Sequence, residues 1–205
     1  IENYILEGLC WPIWKGVMDP SACGRQLHIN GGRGKAYSCA VALSNMAATN
    51  RPRSGVFRHI ALQNLQPGLY ENELVGARYY PRSDFGVYRA KDWYASVRMQ
   101  SERTIGYEFT NAENLLAQFS ADGTIIMMQS GREYENIFPY WDWRMLPGVT
   151  AYDDGTPLRT DDSREDKQNN SGHVGGLSDG GTMVTTMELD RHGLHAFKSD
   201  FFFDD

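Results

Sequence analysis

The sequence predicts an α+β fold made mainly of strands, with a few helices first and an incomplete antiparallel β-sandwich after them. Apolar residues recur at spacings of three and four up to Leu65, and after Gly68 they alternate or gather in short runs bounded by glycine. The change of period places a boundary near residues 67–72. It divides the chain into a helical segment over 1–70 and the first part of a sandwich over 71–205.

Taken in order, "NYILEGLCWPIWKG" sets Ile5, Leu6, Leu9, Ile13 and Val17 at helical spacing, with Pro12 as an end or kink. "AYSCAVALSNMAAT" is rich in helix formers and puts Tyr37, Ala40, Val41 and Ser44 on one face. "SGVFRHIALQNLQPG" repeats the pattern through Val56, Ile60 and Leu65, with Ser54 as N-cap and Pro67-Gly68 as the stop. "DWYASVRM", "GTIIMMQSG" and "GGTMVTTMEL" read as strands, the first directing Trp93, Ala95 and Val97 away from Tyr94, Ser96 and Arg98. "YENIFPYWDWRMLPGVT" reads as another strand, its Trp141, Trp143 and Met145 packed on an inner sandwich wall. The charged "DDGTPLRTDDSREDKQNNSGHVGG" reads as a surface loop, and "FFFDD" as a terminal apolar strand that stops abruptly.

Composition excludes several classes. Hydrophobic residues make up 41% of the 205 and aromatics 12%, a globular composition. No run approaches the ~18 apolar residues of a membrane span. The net charge of −6 conceals a gradient: the first 60 residues hold seven Lys/Arg against three Asp/Glu, and the last 55 hold five against twelve. That asymmetry fits a local anion site better than polyanion binding. Nucleic acid is not expected as a partner, since no basic run is interleaved with aromatics. Cys10, Cys23 and Cys39 lack metal or framework spacing and read as buried thiols, with one bridge as the alternative. Ile1, with no Met and no leader before it, reads as an internal start.

Two stretches carry candidate chemistry. In "DPSACGRQLHINGGRGK", Arg25, Arg33 and Lys35 lie among glycines beside His28. The loop either grips a carboxylate or sulfate through arginine's planar fork or is an ordinary solvated connection. In "SERTIGYEFTNAENLL", Glu108, Asn111 and Glu113 suggest an acid–base pair. Their alternative is a turn in which Glu108 pairs with an arginine such as Arg103. The five histidines show no metal spacing, because His192 and His195 on a strand would face opposite sides. Asp142, Asp153 and Asp154 lack the spacing of a calcium loop.

The succession "DPSACGRQL", "MQSERTIGYEFTNAENLLAQFSADGT", "GREYENIFPYWDWRMLPGVT", "GHVGGLSDGGTMV" and "KSDFFFDD" resembles the motifs of polysaccharide lyase family eight, in order and across nearly the whole chain. The family contains hyaluronate, chondroitin AC and xanthan lyases. The resemblance implies that residues 1–70 close an α/α toroid, that 71–205 open a large antiparallel sandwich, and that a cleft lies between. It implies β-elimination on an acidic polysaccharide, in a secreted or periplasmic bacterial enzyme, without a required cofactor. Arg25 matches an arginine near the leaving oxygen, Glu108 a glutamate that supports it, and Asn111 a sugar-contacting asparagine. The family's second arginine falls at Ile29, leaving His28 or Arg33 as substitutes in substrate binding. Asp142 and Asp153 fall where some members hold calcium, but Arg144 stands where a further carboxylate is expected. The family's catalytic Asn, His and Tyr lie upstream of "GRQL", and Tyr4 and Tyr37 are too near in sequence to replace them. The chain is therefore expected to be inactive alone, a portion of a lyase that acts with the remainder of its chain. The rival reading is a noncatalytic carbohydrate-binding or structural module.

Overall fold

The computed structural model describes residues 1–28, 30–158, 169–191 and 193–203. Ile29, His192 and Asp204–Asp205 lie outside the described residues, as does the middle of the charged loop. The fold is mixed α+β with strands predominating.

The chain opens with a helical turn α1 (Glu2–Tyr4) that widens into a π-helical turn over Ile5–Leu9, where the Cys10 amide donates to the Ile5 carbonyl. Pro12 ends it. The expected continuation of the helix through Ile13 and Val17 is replaced by a hairpin, β1 (Ile13–Trp14) and β2 (Val17–Met18). Lys15 and Gly16 both have positive φ (47° and 76°), the mark of a tight two-residue turn, and that turn overrides the helical spacing.

Helix α2 (Gly31–Ala47) begins inside the glycine loop and packs on α3 (Ser54–Leu65) and the hairpin. A side chain at Gly32 would come within 2.8 Å of the Met18 carbonyl, so the glycine lets the helix start lie directly on β2. The buried stripe of α2 is Ala36, Cys39, Ala40, Leu43 and Ala47. The expected face is thus rotated: Tyr37 and Val41 point to solvent, because the hairpin reaches the smaller side. On α3, Phe57, Ile60 and Ala61 are buried while Val56 and Leu65 are exposed. Ser54 is the first helical residue, and its hydroxyl accepts from the Arg51 amide. All three cysteines are buried free thiols.

Four strands, β3 (Gly76–Tyr80), β4 (Phe85–Arg89), β5 (Tyr94–Arg98) and β6 (Thr124–Met128), form an antiparallel meander in chain order. Three more, β7 (Val174–Ser178), β8 (Met183–Arg191) and β9 (Leu194–Phe202), form a second antiparallel sheet. The four-stranded sheet is covered on both faces. Phe85, Val87, Tyr94, Ile126 and Met128 meet Trp11 and Trp14 from the hairpin. On the other face, Val97 and Met99 meet Val174, Met187 and Leu189, and Tyr88 meets Met183. Asp122 and Arg191 join the two sheets through a buried ion pair of 2.8 Å.

"YENIFPYWDWRMLPGVT" is not a strand. Residues 132–150 run as successive turns, Asp142 accepts from the Arg144 and Met145 amides, and Met145 is exposed. Alternation imitated a strand here, but side-chain capping of the backbone won.

Arg89 binds the N-terminal segment to the sheet. It is 2% exposed, and its guanidinium donates to the carbonyls of Trp11, Ile13 and Leu74 and to Asn72 Oδ1, at 2.7–2.9 Å. It lies over the Trp14 ring at 5.0 Å. Burial lowers its pKa to about 10, so it stays charged at neutral pH. Arg89→Ala leaves those acceptors unpaired beside a cavity. It is expected to cost on the order of 4 kcal/mol in the denaturant unfolding of the protein.

Candidate functional site

The floor of the site is the sheet face bearing Arg98, Thr124 and Ile126. Facing it is the short 3-10 turn Pro20–Ala22, held by buried Asp19, which accepts from the Ser21 amide and from the Tyr94 hydroxyl. Burial raises the Asp19 carboxyl above its ordinary range, against the hydrogen bonds that favour the ionised form. Tyr107, Phe109, Trp141 and Trp143 complete a cleft of about 810 Å3. The two tryptophans, expected on an inner wall, are half-buried lining of this cleft. They sit edge to face at 5.5 Å, and the Trp143 indole is fixed by the Phe138 carbonyl.

Beside the cleft, next to its lining residues Gly24 and Glu108, Arg25 joins two carboxylates. Its Nη1 is 2.6 Å from Glu108 Oε1 and its Nε is 2.8 Å from Glu113 Oε2, while its backbone amide donates to Glu108 Oε2. Glu108, then Glu113, raises the arginine's pKa above its usual value. A side chain at Gly24 would fall 2.6 Å from Glu108 Oε2, and φ there is +61°, so glycine is what admits the carboxylate. Arg103, the partner expected for Glu108, is instead 2.7 Å from the buried Asp84.

Glu113 reaches Arg25 by a strained route. Asn111 and Ala112 have φ of 56° and 60°, the Glu113 amide donates to the Thr110 carbonyl, and Asn114 follows at 59°. Positive φ at both central residues marks a type I′ turn, and for alanine it costs about 1–2 kcal/mol. The Asn114 amide group donates to the Glu108 carbonyl and ties the turn down.

Of the residues singled out from sequence, Arg25 and Glu108 are brought together, and Asn111 stands exposed at the tip of the adjoining turn. His28 and Arg33 are elsewhere. His28 lines a separate groove with Met18, Gln26 and Lys35, and Arg33 pairs at 3.4 Å with Glu135, which Arg132 shares. Among the described residues neither bonds to Arg25 or Glu108. The sequence offers Glu113 either as one of an acid–base pair or as a turn residue, and neither reading includes its contact with Arg25. Its position just beyond two left-handed residues in "TNAE" is the signal that aims it back at Arg25.

The residues near Asp142 and Asp153 do not fit a calcium ion. Asp142 caps its own turn, and Asp153 lies 3.8 Å from Arg144. The Arg144 guanidinium takes the carbonyls of Tyr152 and Thr156 and lies over the Phe119 ring. Oxygens that could serve a cation already serve this one. Among the described residues no group of three or more His, Cys, Asp or Glu could hold a metal. Chelation of the purified protein is expected to leave its melting temperature unchanged, whereas Arg144→Ala should lower it. Ala112→Gly should raise stability by about 1 kcal/mol in denaturant titrations, because glycine relieves the left-handed turn.

Residues 75–205 match the family model described as polysaccharide lyase family 8, super-sandwich domain. A chondroitinase-AC from Pedobacter heparinus is 40% identical over 111 residues, which is 53% of this chain and 15% of that protein. A solved chondroitinase AC lyase superposes on 99% of the chain and 30% of its own length, with a TM-score of 0.84 and 25% identity. A Paenibacillus xanthan lyase superposes on 95% of the chain and 21% of its own, with a TM-score of 0.78 and 22% identity, which shows the common fold. The chain thus spans well under half the length of these relatives. On the match over 75–205, the chain belongs to polysaccharide lyase family 8.

Proposed function

We propose that the intact protein is a lyase that cleaves a uronate-containing polysaccharide, hyaluronan, chondroitin or a similar chain, by β-elimination. The observation that carries this is the Arg25–Glu108–Glu113 cluster, which meets an aromatic cleft through its lining residue Glu108, in a member of a lyase family. In such a reaction a base removes the proton α to the uronate carboxylate, the developing enolate is stabilised, and the glycosidic oxygen departs. Arg25, held by two carboxylates, serves as a fixed donor toward the departing oxygen. The half-buried tryptophans offer apolar faces for sugar rings.

The general base is supplied by residues outside this chain, so the chain alone is inactive. In this reading residues 1–70 are the closing helices of an α/α toroid and 71–205 the first part of the sandwich. Asn111, exposed beside the cluster, touches sugar. The enzyme acts in the periplasm or outside a bacterial cell, where its polymer is found. The rival reading, a noncatalytic carbohydrate-binding module, draws on the same aromatic lining but assigns no task to the ion-pair cluster.

The intact protein mixed with hyaluronan, chondroitin sulfate or xanthan is expected to generate the ultraviolet absorbance of a 4,5-unsaturated uronate. No rise with any uronate polymer, together with retained binding, would favour the module. Arg25→Ala should lower kcat by roughly 100-fold, as loss of a single transition-state donor does. Near-normal turnover would remove Arg25 from the mechanism.

A further inference from the structure

Resting on that reading, the arrangement around Arg25 specifies which chemical group it can receive. A guanidinium that recognises a sulfate or carboxylate offers the anion its charge and two parallel donors. Arg25 offers neither freely. Its Nε is held by Glu113 and its Nη1 by Glu108, so one positive charge faces two negative ones within 3 Å. The trio carries a net negative charge. Its side chains are 31%, 53% and 44% exposed, so an arriving group meets this charge beside the cleft, where Glu108 lines it. Among the described residues no hydrogen bond reaches Arg25 Nη2, which leaves that amino group as a donor. Arg98, which does line the cleft, stands on the sheet floor and donates to the Ile105 carbonyl.

Glu108 alone would leave a neutral pair. Glu113 tips the balance, and the chain reaches that arrangement through a turn with alanine in a left-handed conformation. Strain of this kind persists where the surroundings enforce it, and it gathers at functional sites. A turn serving only to reverse the chain could use glycine at that position without strain.

We infer that Glu113 is a specificity-determining residue: its carboxylate on Arg25 reserves that position for an uncharged sugar oxygen and turns away a sulfate or a second carboxylate. Discrimination of this type works by repulsion of the wrong ligand as much as by attraction of the right one.

The test compares chondroitin with its sulfated counterpart as substrates of the intact protein and of Glu113→Gln, a variant that keeps the shape and removes the charge. The wild type is expected to favour the unsulfated polymer. Glu113→Gln should shift the ratio of kcat/KM toward the sulfated polymer by about tenfold, and should make KM for that polymer more sensitive to salt. Glu113→Asp, which keeps the charge, should retain the wild-type preference; a purely structural role would not separate the two variants in this way. An unchanged ratio in folded Glu113→Gln, verified by circular dichroism, overturns the inference. If no polymer yields unsaturated uronate, the lyase reading fails. Equilibrium binding of the same two polymers then decides the inference: a shifted affinity ratio supports it, and an unshifted one overturns it.

Discussion

A single buried arginine holds the two kinds of structure in this chain together. Arg89 ends strand β4 and carries a positive charge that, among the described residues, meets no carboxylate, in a lining of main-chain carbonyls and aromatic rings. Such a charge is tolerable only when its donors are matched, and the match here comes from segments far apart in sequence. The carbonyls of Trp11 and Ile13 belong to the hairpin region, and the remaining acceptors to the connection that follows α3. The docked hairpin and the end of β4 thus share one set of hydrogen bonds. The Pro20–Ala22 turn and Arg25 follow the hairpin in sequence and are fixed by further contacts, through Asp19 and through Glu108 and Glu113.

The cleft follows from the layering. The four-stranded sheet gives its Ala77, Tyr88 and Val97 face to the second sheet and the opposite face to the hairpin. At the β5–β6 end the hairpin no longer covers it, and Arg98, Thr124 and Ile126 form a floor. Loops close the sides. Their positions are set by buried carboxylates: Asp84 holds Arg103 and the hydroxyls of Ser101 and Thr104, and Asp19 holds the turn before Arg25. Rigid supports beneath mobile-looking connections are how irregular backbone keeps side chains in register.

Much of the fold was legible in sequence, and the failures have physical causes. Helices α2 and α3 and strands β5, β6 and β8 announce themselves by period and by glycine or proline boundaries. Strands β3 and β4 show no clean alternation, because the sheet is covered on both sides. The hairpin was hidden because Ile13 and Val17 are four apart, as in a helix, and only the left-handed Lys15-Gly16 pair reverses the chain. The tryptophan segment failed in the opposite sense, its alternation being genuine but its backbone committed to Asp142. At the site, the motif order pointed to Arg25 and Glu108, 83 residues apart. Glu113 stood out as a carboxylate near Glu108, but its contact with Arg25 was not legible, since its aim depends on two dihedral angles. His28 and Arg33 were grouped with Arg25 by proximity in sequence, but α2 begins between them and carries Arg33 toward Glu135.

Arg144 has a meaning beyond local packing. A cation tethered to the polypeptide is made in the same act of synthesis as the carbonyls it gathers, in fixed one-to-one proportion. Among the described residues, the carbonyls beside the tryptophan wall are therefore gathered by the chain itself and not by a captured ion. That contact goes with the folded chain, since both of its halves belong to one polypeptide.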